Sequence, residues 1–188
     1  MSTSENILTE ELLSGPDIAT TVRRLAYEIL ETCRDDKPAF VGIYTRGVTL
    51  AKRVAAVLKE DGHDFEIGTI DISLYRDDLD NLGATMPKLE SSGVPFALEG
   101  TRVILFDEVI FTGRTIRAAL DGLMDYGRPS KIELAVLADR GHRELPIQPD
   151  YVGTKIETTR DQYVKVRFEE DDDQEGVFLI TKNSETDS

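Results

Sequence analysis

Two carboxylates stand side by side at Asp107 and Glu108, directly after the apolar run Val103-Ile104-Leu105-Phe106. At the carboxyl end of a buried strand, adjacent carboxylates suit the hydroxyls of a sugar or a metal ion. Val109, Ile110 and Phe111 follow, then Thr112-Gly113-Arg114-Thr115, and then Ile116, Ala119, Leu120 and Leu123 recur at helical spacing. The order reads as strand, acidic strand end, small-residue loop and helix N-terminus. The first turn of a helix leaves backbone N–H groups without partners at the positive end of the dipole, so it attracts an anion. Hydroxyls beside an anion describe a sugar phosphate. Each part alone is ordinary in an α/β protein; the combination is much less so.

Two further segments fall at equivalent places. Thr45-Arg46-Gly47 follows the short apolar strand 40–44 and opens a helix over 48–59, a second anion site. Asp139-Arg140-Gly141-His142 follows the apolar strand 132–138. A helix precedes them at 17–34, with Asp17 as its candidate N-cap. A strand is expected over 65–73 and a terminal hairpin over 163–168 and 177–181. Its turn, Glu169 to Asp173, reads as a solvated charge cluster. Residues 1–14 read as loosely ordered, and 74–100 as a flexible lid loop within a single domain spanning 1–188. Strands alternating with helices imply an α/β fold with a mainly parallel sheet, which binds ligands at the carboxyl ends of its strands.

Composition narrows the function classes. No apolar run approaches the roughly 20 residues that span a bilayer, and the start Met1-Ser2-Thr3-Ser4-Glu5 has no signal-peptide character, so a cytoplasmic location is expected. The lone Cys33 excludes an internal disulfide and reads as a small helix residue. His63 and His142 are too few for a metal cluster. A formal net charge of −14, with 22 Lys and Arg against 36 Asp and Glu, requires a locally basic face for any nucleic-acid partner.

Val103 to Thr115 resembles the ribose-phosphate signature of the type I phosphoribosyltransferases. The resemblance narrows with DISLYRDDL (71–79), GRP (127–129), LADRGHRELPI (137–147) and DYVG (150–153), which look like the bacterial bifunctional pyrimidine-operon regulators and uracil phosphoribosyltransferases, the PyrR family. It covers roughly residues 17–181 and implies a twisted parallel sheet with a small hood and a β-hairpin. The implied activity is transfer of a phosphoribosyl group from phosphoribosyl pyrophosphate (PRPP) to uracil, giving UMP and pyrophosphate, with Mg2+ carried by PRPP and Asp107 as a conceivable ligand. By the same resemblance, Asp107 and Glu108 hold the ribose. Val109, Ile110, Phe111, Thr112, Gly113, Arg114 and Thr115 wrap the 5-phosphate, and Thr45, Arg46 and Gly47 take the pyrophosphate. Asp139, Arg140, Gly141 and His142 form the uracil pocket. Asp107, Glu108, Arg76 and Arg140 are the candidate catalytic residues, Arg76 closing with the lid over the leaving group.

The family also implies a homodimer or larger assembly, uridine nucleotides (UMP, UTP) as effectors, and binding to pyrimidine-operon leader RNA. Here Arg23, Arg24, His142, Arg143 and Lys155 are the candidate RNA residues. The chain departs from the pattern at several points: Glu108 for a second Asp, Phe111 for Tyr, Tyr27 for His, Gln148 for Arg and Thr154 for Lys. The last three, with the acidic surface, count against RNA binding. A nucleotide-sensing regulator with weak or no transferase activity, or a transferase for another base, are the alternatives.

Overall fold

The computed structural model describes residues 6–33, 36–73 and 93–183. Five parallel strands form the central sheet in the order β3-β2-β4-β5-β6: β2 (Ala39–Ile43), β3 (Ile67–Ile70), β4 (Arg102–Ile110), β5 (Lys131–Asp139) and β6 (Tyr151–Lys155). The central strands carry continuous apolar runs (39–43, 103–106 and 134–138) because both faces are covered, as parallel sheets require. Alternate residues feed alternate faces. Phe40, Ile104, Phe106, Ala135 and Leu137 pack with α1 (Gly15–Thr32) and α2 (Arg46–Glu60). Val41, Ile43, Val103, Leu105 and Val136 pack on the other face with α3 (Arg114–Met124).

A second sheet, antiparallel in the order β1-β8-β7, holds β1 (Asn6–Leu13), β7 (Tyr163–Arg167) and β8 (Gly176–Asn183). The hairpin agrees with expectation, but β1 does not: eight of the residues read as loosely ordered form a strand. Its partner is β8, some 170 residues later in the chain (Ile7 opposite Lys182), so no local pattern announces the pairing. Helix α1 also starts earlier than expected. Ser14, not Asp17, is its N-cap, and Asp17 accepts from the Ser14 backbone N–H at 3.0 Å and from its hydroxyl at 2.5 Å.

β6 was recognised only as a motif, since a five-residue stretch containing Gly153 has no clear alternation. Close packing explains the glycine: a Cβ there would lie 2.4 Å from the Leu137 carbonyl oxygen. Of the expected lid, residues 74–92 lie outside the described residues. The remainder is not loose, because Gly93 bridges Thr69 and Leu98 is buried among the α3-side core. Cys33 closes α1, its thiol donating to the Ile29 carbonyl at 3.0 Å. Burial pushes that thiol's pKa up, the opposite of what a nucleophile needs.

Candidate active site

The carboxyl ends of β2, β3 and β4 open into a cleft of about 350 Å3 lined by Thr45, Arg46, Asp71, Ser73, Asp107, Glu108 and Thr115, among others. The β2–α2 turn reaches it through two close approaches. A Cβ on Gly42 would lie 2.3 Å from Val48 Cα, and one on Gly47 would lie 2.4 Å from the Phe106 carbonyl oxygen. Only glycine lets the start of α2 press onto β4, and this contact sets Thr45 and Arg46 at the cleft. The Tyr44–Thr45 peptide is cis, and the Tyr44 N–H donates to Ile70 O at 2.9 Å.

β4 runs on to Ile110, so Asp107 and Glu108 lie within the strand, not at its end as expected. The reason is the neighbour: β5 continues beside it, with Val109 opposite Ala138 and Ile110 opposite Asp139. Asp107 is 4% exposed and its Oδ1 accepts the Glu108 N–H at 3.0 Å. Burial, with the charge of Glu108 beside it, pushes the Asp107 carboxyl well above its ordinary pKa.

After β4 the chain turns at Gly113, whose φ of 91° is left-handed, and α3 begins. Thr115 faces the cleft, whereas the neighbours differ. Arg114 turns outward to Glu144 at 2.9 Å, Ile110 is buried in the core, and Phe111 stacks under Arg140. The Thr112 carbonyl accepts from Glu144 N and Leu145 N at 2.9 and 3.2 Å, tying this loop to the one after β5.

That loop is tied to the β4–α3 loop, and Asp139 to His142 are not among the described residues that line the cleft. Asp139 shapes the loop, accepting from Gly141 N at 2.9 Å and Arg143 Nη2 at 2.7 Å. Burial alone would raise the Asp139 pKa, but Arg143 and the Gly141 N–H outweigh it and hold the carboxyl below its ordinary value. His142 takes a φ of 62°, and its Nε2 lies 2.6 Å from Thr158 O. Arg140 is 5% exposed; its guanidinium sits 3.9 Å over the Phe111 ring, and Nη2 donates to Thr159 O. Its Nε, buried, has no partner among the described residues. An unmet buried donor costs about 1–3 kcal/mol, so it marks where a ligand acceptor would be welcome.

Glu169, Glu170, Asp171 and Asp173 are exposed, as expected of a solvated turn, but the run also pairs with α2. Asp172 takes Arg46 in a two-point pair, Nε–Oδ2 at 3.0 Å and Nη2–Oδ1 at 2.7 Å. Asp171 accepts from Thr49 at 2.6 Å, and Arg53 is held by Glu170 and Glu175. α2 carries Arg46, Thr49 and Arg53 on one face, at a spacing that matches the turn, and this meeting of hairpin and helix is a tertiary fact.

The sequence matches a family model described as a phosphoribosyl transferase domain over residues 9–173. It is 47% identical to a protein named bifunctional protein PyrR from Thermus aquaticus, over 92% of this chain and 96% of that one. Identity to the protein of the same name from Nostoc punctiforme is 48%, over 90% of this chain and 96% of that one. The chain belongs to the PyrR family. The fold is that of the type I phosphoribosyltransferases. A hypoxanthine-guanine phosphoribosyltransferase from Bacillus anthracis superposes with a TM-score of 0.68, covering 94% of this chain and 100% of that one, at 17% identity. Likeness at that identity speaks to the fold alone.

Within this PyrR-family chain the candidate RNA residues separate. Arg143 is turned inward, its side chain 11% exposed and donating to Phe111 O, Ile147 O and Asp139. Arg24 bonds Glu28 and the carbonyls of Val152 and Gly153. Arg23 and Lys155 are exposed. Arg76 lies outside the described residues. Spacing gives no role to Asp71, although it opens DISLYRDDL, or to Asp172 in the acidic turn; Asp71 stands at the cleft wall, its Oδ1 accepting from Ser73 N and Oγ at 2.9 and 2.5 Å. Among the described residues, no helix is long and apolar enough to cross a membrane.

Proposed function

We propose that this chain transfers the phosphoribosyl group of PRPP to N1 of uracil, releasing UMP and pyrophosphate, as one cytoplasmic domain assembled in two or more copies. The observation that carries the reading is the convergence of Arg46, Asp107, Glu108 and Thr115 on one cleft. In it, the N-terminus of α3 receives the 5-phosphate, Asp107 and Glu108 receive the ribose hydroxyls, and Thr45-Arg46-Gly47 receive the pyrophosphate. Their carboxylates also place negative charge where positive charge grows on the ribose ring as the glycosidic bond breaks. Hard carboxylate oxygens from Asp71, Asp107 and Glu108 suit magnesium, but the described residues form no cluster of three able to hold the ion alone. The ion would then bind mainly through substrate oxygens, where it supplies charge neutralisation to the leaving pyrophosphate.

Arg140 belongs to the base side of this reading: its Nε has no partner among the described residues, and its guanidinium braces Phe111 on the β4–α3 loop. Arg140→Met keeps the stem over Phe111 and removes the donor. It is expected to raise KM for uracil at least about tenfold, with KM for PRPP little changed; steady-state kinetics with each substrate varied checks this. The whole reading is tested by following UMP and pyrophosphate formation from PRPP, uracil and magnesium. Intact PRPP binding with no UMP formed would sink it.

The relatives' name, bifunctional protein, favours a second activity beside the first. We infer uridine-nucleotide-dependent binding of leader RNA through a small face carrying Arg23 and Lys155. Two to three available cations imply a shallow salt dependence, a log–log slope of roughly −2, in an RNA titration at several salt concentrations. Salt-independent or undetectable binding rules that activity out.

A further inference from the structure

Arg46 is paired with Asp172 and shares its cleft with a second carboxylate, Glu108. Asp172 takes its Nε and one Nη2 hydrogen side-on. That geometry leaves the two Nη1 hydrogens and the second Nη2 hydrogen directed away from Asp172. Glu108 lines the same cleft as Arg46. Glu108 adds to the charges that raise the Arg46 pKa, after the larger effect of the Asp172 bond and against the opposing effect of burial.

Asp172 is well placed to hold its end. Its side chain is 16% exposed, so the pair is screened less than one on the open surface. Its Oδ2 also accepts the Phe168 N–H at 3.3 Å, and the adjoining Asp171 and Glu170 are anchored on α2. The carboxylate is a fixed point on a docked turn.

We propose that Asp172 is a positioning residue for phosphoribosyl transfer: it holds Arg46 off Glu108 and aims the free edge of the guanidinium at the leaving pyrophosphate. This rests on the reading of the cleft as a PRPP site. Without Asp172, Arg46 keeps its charge and is drawn to the carboxylate that shares its cleft. Glu108 meets it with one methylene more than an aspartate has. Arg46 would then leave the pyrophosphate and also neutralise a carboxylate intended for the ribose. Asp172 itself touches no substrate.

Asp172→Asn keeps the shape and the acceptor for Phe168 N–H but removes the charge. It is expected to raise KM for PRPP about tenfold while KM for uracil stays within about twofold. Glu108→Asp shortens the competing reach, so the penalty of D172N measured in the E108D background should shrink to about threefold or less in a double-mutant cycle. Asp172→Glu restores the charge and should bring KM for PRPP back within about threefold of the parent. Glu170→Gln removes one of the two carboxylates on Arg53, while Glu175–Arg53 and Asp171–Thr49 still dock the turn, and should leave KM for PRPP unchanged. A parental KM in D172N overturns the proposal. So does a D172N penalty that E108D does not reduce, an equal penalty in E170Q, or KM values for both substrates rising together in D172E. A parent that neither binds nor turns over PRPP overturns the PRPP reading itself, and the proposal with it.

Discussion

Asp107→Asn is expected to lower phosphoribosyl transfer by about 100-fold or more while leaving the protein at least as stable as its parent. The two effects part company because of where the carboxyl sits. Asp107 is buried within β4 beside Glu108, and burial with that neighbouring charge raises its pKa. An acid with a raised folded pKa stabilises the fold only while protonated. The increment is fully present below the ordinary carboxyl value of about 4 and is lost as pH rises toward the folded value, at no more than about 1.4 kcal/mol per pH unit. Asparagine carries no such burden, so the melting temperature of D107N relative to the parent should climb between acid and neutral pH. A thermal melt series across that range reads it directly. A variant that loses stability at neutral pH would show that the burial cost has been misassigned. Function needs the charge that the fold resists. Over the pH range in which the raised Asp107 carboxyl titrates, binding of PRPP with magnesium should therefore release more protons from the parent than from D107N. Calorimetry in two buffers of different ionisation enthalpy measures this.

Gly47→Ala is expected to disable the PRPP side of the cleft through one methyl group. The added Cβ would meet the Phe106 carbonyl oxygen at 2.4 Å, its carbon at 3.2 Å and Asp107 Cα at 3.3 Å. All three are backbone atoms of the strand that carries the ribose carboxylates, so neither side can yield cheaply. Overpacking of this kind costs about 1–3 kcal/mol, and the strain falls on the turn that sets Arg46. KM for PRPP should rise more than about tenfold, with a lower melting temperature. Gly62→Ala supplies the contrast. Gly62 has a φ of 84° and open space around it, remote from the cleft, just beyond the C-terminus of α2. Its alanine variant should lose about 1 kcal/mol of stability through backbone strain and keep the parental KM. Equal KM values for G47A and the parent would show that the close approach does not position the site.

Several elements were legible because they are set by local periodicity. The apolar runs at 40–44, 103–106 and 132–138 announced buried parallel strands, and the recurrence after Thr115 announced α3. Glycines at tight turns, Gly47 and Gly113, marked where backbone must come close or turn left-handed. Other elements were hidden for one shared reason. β1 pairs with β8, β6 depends on β5, and β4 runs four residues past Phe106 because β5 lies beside it. In each case the partner that supplies the hydrogen bonds is distant in sequence, and the strand's own pattern is too short or too mixed to imply it.

The sequence by itself determined the family, the alternating α/β order, and the types of side chain available around the cleft: two adjacent carboxylates on β4, an arginine after β2 and another after β5. Those follow from residue identity and spacing, which a linear chain displays openly. Only the tertiary structure decided how the charges are used. It buried Asp107 beside Glu108, which raises that carboxyl's pKa, turned Arg143 inward, and left the Arg140 Nε without a partner among the described residues. It also brought the acidic turn at 169–173 against α2, converting an apparent surface cluster into the holder of Arg46. Burial and pairing depend on which segments meet, and that meeting is settled by packing across the fold.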